Sequence, residues 1–117
     1  MSPQQAEQFA KNWIAAWNAH DLDQVLALYR DDFSMASPYI AAIAGEASGR
    51  LQGKPAVRAY WQAALERMPE LHFELIDCLS GMNSLVLYYR SVGGKLAAEF
   101  FEFDADGKVS RAAAHYR

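Results

Sequence analysis

Pro69-Glu70-Leu71-His72-Phe73-Glu74-Leu75 is the point at which the periodicity of this chain changes. Before it, apolar residues recur three and four positions apart. After it they alternate: Leu71, Phe73, Leu75 and Leu79 are set against His72, Glu74 and Cys78, the period of two that a half-buried strand produces. Residues 84–92 read as a second strand and residues 96–103 as a third, with Gly93-Gly94 between them as a hairpin turn. Asp104-Ala105-Asp106-Gly107 marks another tight turn, and residues 109–116 form the last strand.

Toward the N-terminus, Ser2-Pro3-Gln4-Gln5 reads as a helix start, with Ser2 as cap and Gln5 completing a capping box. Ala6, Phe9, Ala10, Trp13 and Trp17 then form an aromatic-rich helical face. Asn18-Ala19-His20 ends that helix. Asp21 caps a second, short one whose buried stripe is Leu22, Val25, Leu26 and Tyr29. Residues 33–37 suit a short strand stopped by Pro38, and residues 39–53 are rich in Ala, Gly and Ser and match no element. Lys54-Pro55 opens a third helix reaching about Arg67, with Val57, Tyr60, Trp61, Ala64, Leu65 and Met68 on one face. Three helices with one small strand among them, then a four-strand antiparallel meander, make an α+β fold. The helices are expected on the concave face of a strongly twisted sheet.

A length of 117 residues allows one domain, spanning 1–117. The apolar share of 52% is ample for a core, which argues against intrinsic disorder. Eleven Lys and Arg against fourteen Asp and Glu give a net charge of −3, and the basic residues are scattered, so no nucleic-acid partner is expected. Cys78 is the only cysteine, which excludes an internal disulfide and a four-cysteine zinc site. His20, His72 and His115 are far apart and without ligand spacing, so no metal is expected, nor any cofactor. The longest uncharged apolar run, 33–45, contains Ser, Pro and Gly, so no membrane span or signal peptide is read and a cytoplasmic location is expected. The aromatic share of 13% suits a packed core or a cavity for an apolar ligand.

Several stretches resemble the SnoaL-like, nuclear-transport-factor-2-like superfamily that includes ketosteroid isomerase. They are Trp17-Asn18-Ala19-His20-Asp21-Leu22-Asp23, Leu28-Tyr29-Arg30-Asp31-Asp32-Phe33, Ser37-Pro38, Gly53-Lys54-Pro55-Ala56-Val57 and Phe103-Asp104-Ala105-Asp106-Gly107-Lys108-Val109. The resemblance implies a cone-shaped α+β barrel, an apolar pocket between helices and sheet, and a homodimer through the outer sheet face. It does not carry the isomerase chemistry over intact. Ser37 stands where the isomerase has its carboxylate base, and a serine hydroxyl has no useful basicity without a base of its own. Trp13 stands at the oxyanion-donor tyrosine. Glu99 stands at the second donor, a protonated aspartate, and retains the chemistry if an apolar site raises its pKa.

With Gly93-Gly94 as the two turn residues, Tyr88 lies opposite Glu99 and Arg90 one diagonal step away. Val86, Tyr88, Arg90, Ala97, Glu99, Phe101 and Phe103 then share a face, which the resemblance turns toward the pocket. Glu99, Arg90 and Tyr88 are the expected acid–base residues. Trp13, Trp17, Ser37, Tyr60, Trp61, Phe101 and Tyr116 are the expected ligand-binding ones. Asp77 shares the parity of Phe73 and Leu75; facing inward, it would complete a carboxylate–Arg–carboxylate set such as limonene epoxide hydrolase-like members use. His115 is expected outside. Leu85, Leu87, Tyr89, Ala98 and Phe100 would form an outer stripe too apolar for water, to be buried by a second subunit. The expected function is a pocket for a small apolar molecule. Either it supports isomerase- or cyclase-like acid–base chemistry on a polyketide- or steroid-like substrate, or it only binds an apolar acid through Arg90. A hydrolase- or dehydratase-like reaction is the further alternative.

Overall fold

The Ser2 hydroxyl accepts the Gln5 N–H at 3.1 Å while the Gln5 side chain accepts the Ser2 N–H at 2.9 Å, closing the expected capping box. Helix α1 (Pro3–Asn18) follows, in a computed structural model that describes residues 1–117. Its end is tied across the molecule. Asn18 Nδ2 donates to the Phe73 carbonyl at 2.9 Å, and its Oδ1 accepts the Phe73 N–H at 2.7 Å. One side-chain amide thus satisfies both backbone groups of a residue distant in sequence, as a neighbouring strand would. His20, in the left-handed region at φ 56°, places Nε2 2.8 Å from the Leu71 carbonyl.

Helix α2 (Leu22–Leu26) is capped by Asp21, and β1 (Tyr29–Ala36) begins earlier than its sequence suggests. Ser37 does not simply stop that strand. Its Oγ accepts the Tyr39 N–H at 3.2 Å and so caps helix α3 (Pro38–Ala44), which Gly45 closes at φ 73°. The molecule therefore has four helices rather than three. Strand β2 (Arg50–Gln52) and helix α4 (Lys54–Arg67) follow, then β3 (Glu74–Ser80), β4 (Ser84–Arg90), β5 (Leu96–Phe103) and β6 (Val109–Tyr116). The sheet has six strands in the order β2-β1-β6-β5-β4-β3, with β1 parallel to β6 and every other pair antiparallel. The helices pack on its concave face, giving a cone-shaped α+β barrel.

The β4–β5 register differs from the expected one by a single residue. The ladder ends at Arg90 opposite Leu96, so the connection is all of Ser91–Lys95, not Gly93-Gly94 alone. Gly93 (φ 71°) and Gly94 (φ 75°) are both left-handed there, and Ser91 N–H reaches the Lys95 carbonyl at 2.7 Å. A one-residue slip moves every side chain of a strand to the other face. Leu85, Leu87 and Tyr89 are accordingly buried inside and are not an outer stripe, while Val86, Tyr88 and Arg90 point outward beside Ala98 and Phe100. A bulge at Ile76 does the same to β3: Leu75 pairs with Tyr89, but Asp77 pairs with the outward Tyr88, and its carboxylate accepts its neighbour Cys78's N–H at 2.8 Å.

Trp13 anchors the core beneath the helices. It stacks on Phe73 at 5.5 Å and meets Tyr89 and Phe101 edge-on at 5.3 and 5.6 Å. Its indole N–H donates to Tyr29 Oη at 2.9 Å.

Candidate functional site

The concave sheet face carries small buried residues around one carboxylate. Ala97 on β5 and Ala112 and Ala114 on β6 are all buried, and Glu99 lies among them, paired with Leu87 and Ala114. Above them is a cavity of about 360 Å³. Its walls include Trp13 and Trp17 of α1, Tyr60 and Trp61 of α4, Phe73, and Tyr89 of β4. Its opening runs between α3 (Tyr39, Ile43), the end of α4 (Arg67, Met68) and the Ser91–Lys95 loop.

Glu99 is 4% exposed and is the only carboxylate in the cavity. Burial raises its pKa from an ordinary 4.5 to about 7, opposed by a hydrogen bond from Tyr89 Oη to Oε1 at 3.2 Å. The other carboxylate oxygen has no protein donor. The phenols respond differently. Burial, with the Glu99 charge as second cause, pushes Tyr89 and Tyr116 far above the usual phenol range. They stay protonated donors while Glu99 changes charge near neutrality. Near Tyr116, the Ser37 hydroxyl accepts from Tyr60 Oη at 3.4 Å, and burial raises the Tyr60 phenol too.

Of the residues expected at the site, Trp13, Trp17, Tyr60, Trp61, Tyr116 and Glu99 line the cavity. Tyr88 and Arg90 do not. Both face away from it on β4, and Arg90 is exposed, donating to the Gly94 carbonyl at 3.3 Å. The reason is the longer loop, and Tyr89 takes the place expected of Tyr88. With Arg90 and Asp77 both outside, the carboxylate–Arg–carboxylate set is not assembled. Phe101 is fully buried against Phe9 and Trp13 rather than at the cavity wall. Ser37 lies behind Tyr60 and Tyr116 as a helix cap. Trp13 has already given its N–H to Tyr29, so it is not the free donor that the isomerase alignment requires there. His115 is exposed on the outer face, as its parity implies.

Sequence reading missed Tyr89, Tyr39, Arg67 and Lys95. Tyr89 was visible only through a loop length, and Tyr39 only through a helix hidden in the unassigned stretch. A second polar atom in this region is also without a protein partner: Trp17 Nε1 is buried without an acceptor. Such a group costs roughly 1–3 kcal/mol, which an acceptor atom reaching it would relieve.

A family model described as the SnoaL-like domain matches residues 10–117. The chain belongs to the SnoaL-like family. A SnoaL-like protein of unknown function from Burkholderia thailandensis is 52% identical, with a TM-score of 0.95 over 99% of this chain and 97% of that one. An NTF2-like protein of unknown function from Burkholderia pseudomallei is 17% identical, with a TM-score of 0.79 over 100% of this chain and 92% of that one. A protein from Agrobacterium tumefaciens, named as a candidate isomerase of the SnoaL-like family, is 14% identical, with a TM-score of 0.77 over 97% and 98%. The last two likenesses show the SnoaL-like fold alone. No curated protein matches the chain. No helix of this SnoaL-like domain is long and apolar enough to cross a membrane.

Proposed function

We propose that this SnoaL-like protein binds a small apolar molecule in its cavity and acts on it by acid–base chemistry through Glu99, in the manner of an isomerase or cyclase. One observation carries the reading: a buried carboxyl with a pKa of about 7 inside an aromatic cavity. A group poised near the working pH is both available as a base and able to return the proton. As a carboxylate, Glu99 takes a proton from a substrate carbon next to a carbonyl. The Tyr116 phenol, protonated at any physiological pH, donates to the oxygen on which charge develops. Tyr89 positions Glu99 through its hydrogen bond.

The test is exchange of the acidic protons of 2-tetralone in heavy water, followed by proton NMR. The wild-type chain is expected to accelerate exchange, with a rate that rises as pH passes through about 7. Glu99→Gln is expected to abolish it while leaving ligand binding within a few-fold. A second reading, a non-catalytic binder, is favoured by the absence of any other carboxylate or nucleophile–base pair in the cavity. It predicts binding with no exchange in either protein. We further propose a homodimer through the outer sheet face, and the cytoplasm as its location.

A further inference from the structure

Resting on that reading of the cavity, we infer that its ligand is an organic acid: an aromatic or alicyclic body inside, with its carboxylate at the opening, held by Lys95 and Arg67. These are the only cationic side chains that line the cavity, and both are exposed at its rim. Neither has an acidic partner. The ion pairs of the chain are Arg30 with Asp32 and Asp104, Lys54 with Asp31, Arg58 with Asp23, and Arg111 with Glu102. Two cations without an acidic partner on the lining of one otherwise apolar cavity favour an anion there.

Lys95 is also held in place. Its Nζ donates to Tyr39 Oη at 3.1 Å and lies 5.8 Å from the centre of that ring. Tyr39 packs on Tyr116, a wall of the cavity, at 4.6 Å. The backbone of the Ser91–Lys95 loop fixes the other end of the side chain through the bond from Ser91 N–H.

The depth of the cavity sets the ligand's orientation. An acid group pushed to the bottom would meet Glu99, buried and with no cation beside it, where two carboxylates would repel each other with little screening. At the opening the same group meets two cations. The volume, about 360 Å³, is at the low end of the roughly 300–1,000 Å³ of small-molecule sites. A ring system with a short acidic arm fits this description.

The experiment compares 1-naphthaleneacetate with 1-naphthaleneacetamide by isothermal titration of the full chain. The two share ring and arm and differ in one charge. The acid is expected to bind roughly three- to tenfold tighter than the amide in low salt, the range open to two rim cations. That preference should shrink as salt is added. The double variant Lys95→Gln, Arg67→Gln should lose the preference, so that acid and amide bind alike, with both exposed side chains replaced outside the core. Equal binding of acid and amide, or a preference that survives in the double variant, overturns the inference and leaves the apolar cavity standing. If neither compound binds and the fluorescence of Trp17 and Trp61 does not move, the inference and the cavity reading fail together.

Discussion

Glu99 carries a cost that depends on pH. In the unfolded chain its carboxyl ionises near 4.5, and in the folded one near 7. Below 4.5 both states hold the proton. Between the two values the folded state retains a proton that the unfolded state has released, so stability falls as pH rises. The loss is complete above about 7 and amounts to roughly 3 kcal/mol. Glu99→Gln has no proton to lose. Urea denaturation at pH 5 and pH 8 should therefore show the wild type losing stability across this window while the variant changes less. If the two proteins keep a constant difference, Glu99 does not titrate in the window. Residue identity alone gave one half of this effect: an acidic side chain in Leu96-Ala97-Ala98-Glu99-Phe100-Phe101 has apolar neighbours that raise its pKa, while an inward Arg90 would have lowered it. What it could not give was the partner. Tyr88 and Tyr89 are adjacent, and only the length of the following loop decides which of them faces Glu99.

At the level of elements, the helices announce themselves through caps and spacing, and α3 shows where that fails. Its signals are present in Ser37, Pro38 and Gly45, but its body is alanine-rich with only Ile40 fully buried, so no apolar stripe marks it. The four strands of the meander were legible as strands, yet their faces were not; β2 went unread, and Tyr29, expected on the second helix, opens β1. Alternation fixes which residues share a face; it does not say which face is inside when a loop can hold one more residue or a strand can bulge, as happens at Ser91–Lys95 and Ile76. Asn18 shows the reverse case, a polar residue whose neighbours named a family while its own task stayed invisible. Its bonds to Phe73 hold the end of α1 against the segment leading into β3. Asn18→Ala should cost about 1–3 kcal/mol, because the buried Phe73 backbone loses both partners. Amide exchange at Phe73 should speed up more than at core strand positions. An Ala variant as stable as the wild type, with Phe73 still protected, would show that water replaces the side chain at no cost.

For the molecule as a whole, the outer sheet face presents Val86, Tyr88, Ala98 and Phe100, half-buried even without a partner, with Ile76 44% and Leu79 58% exposed at its margin. This patch differs from the stripe expected from sequence, but it is still apolar enough to favour a second copy. Sedimentation at micromolar concentration should report a dimer, and Tyr88→Glu should shift it to monomer without unfolding it, since that side chain lies outside the core. A monomeric wild type would refute the dimer.

Strand β3 is the last in the sheet and has no neighbour on its far side, an arrangement that invites another chain to add on and start a fibre. Here the invitation is withdrawn piece by piece. Asn18 occupies both backbone groups of Phe73 just ahead of the strand, the bulge at Ile76 breaks its line, and Asp77 takes up the N–H of Cys78 with its own carboxylate. Each of these features interrupts the run of free backbone groups that an added strand would need beside the exposed Ile76 and Leu79.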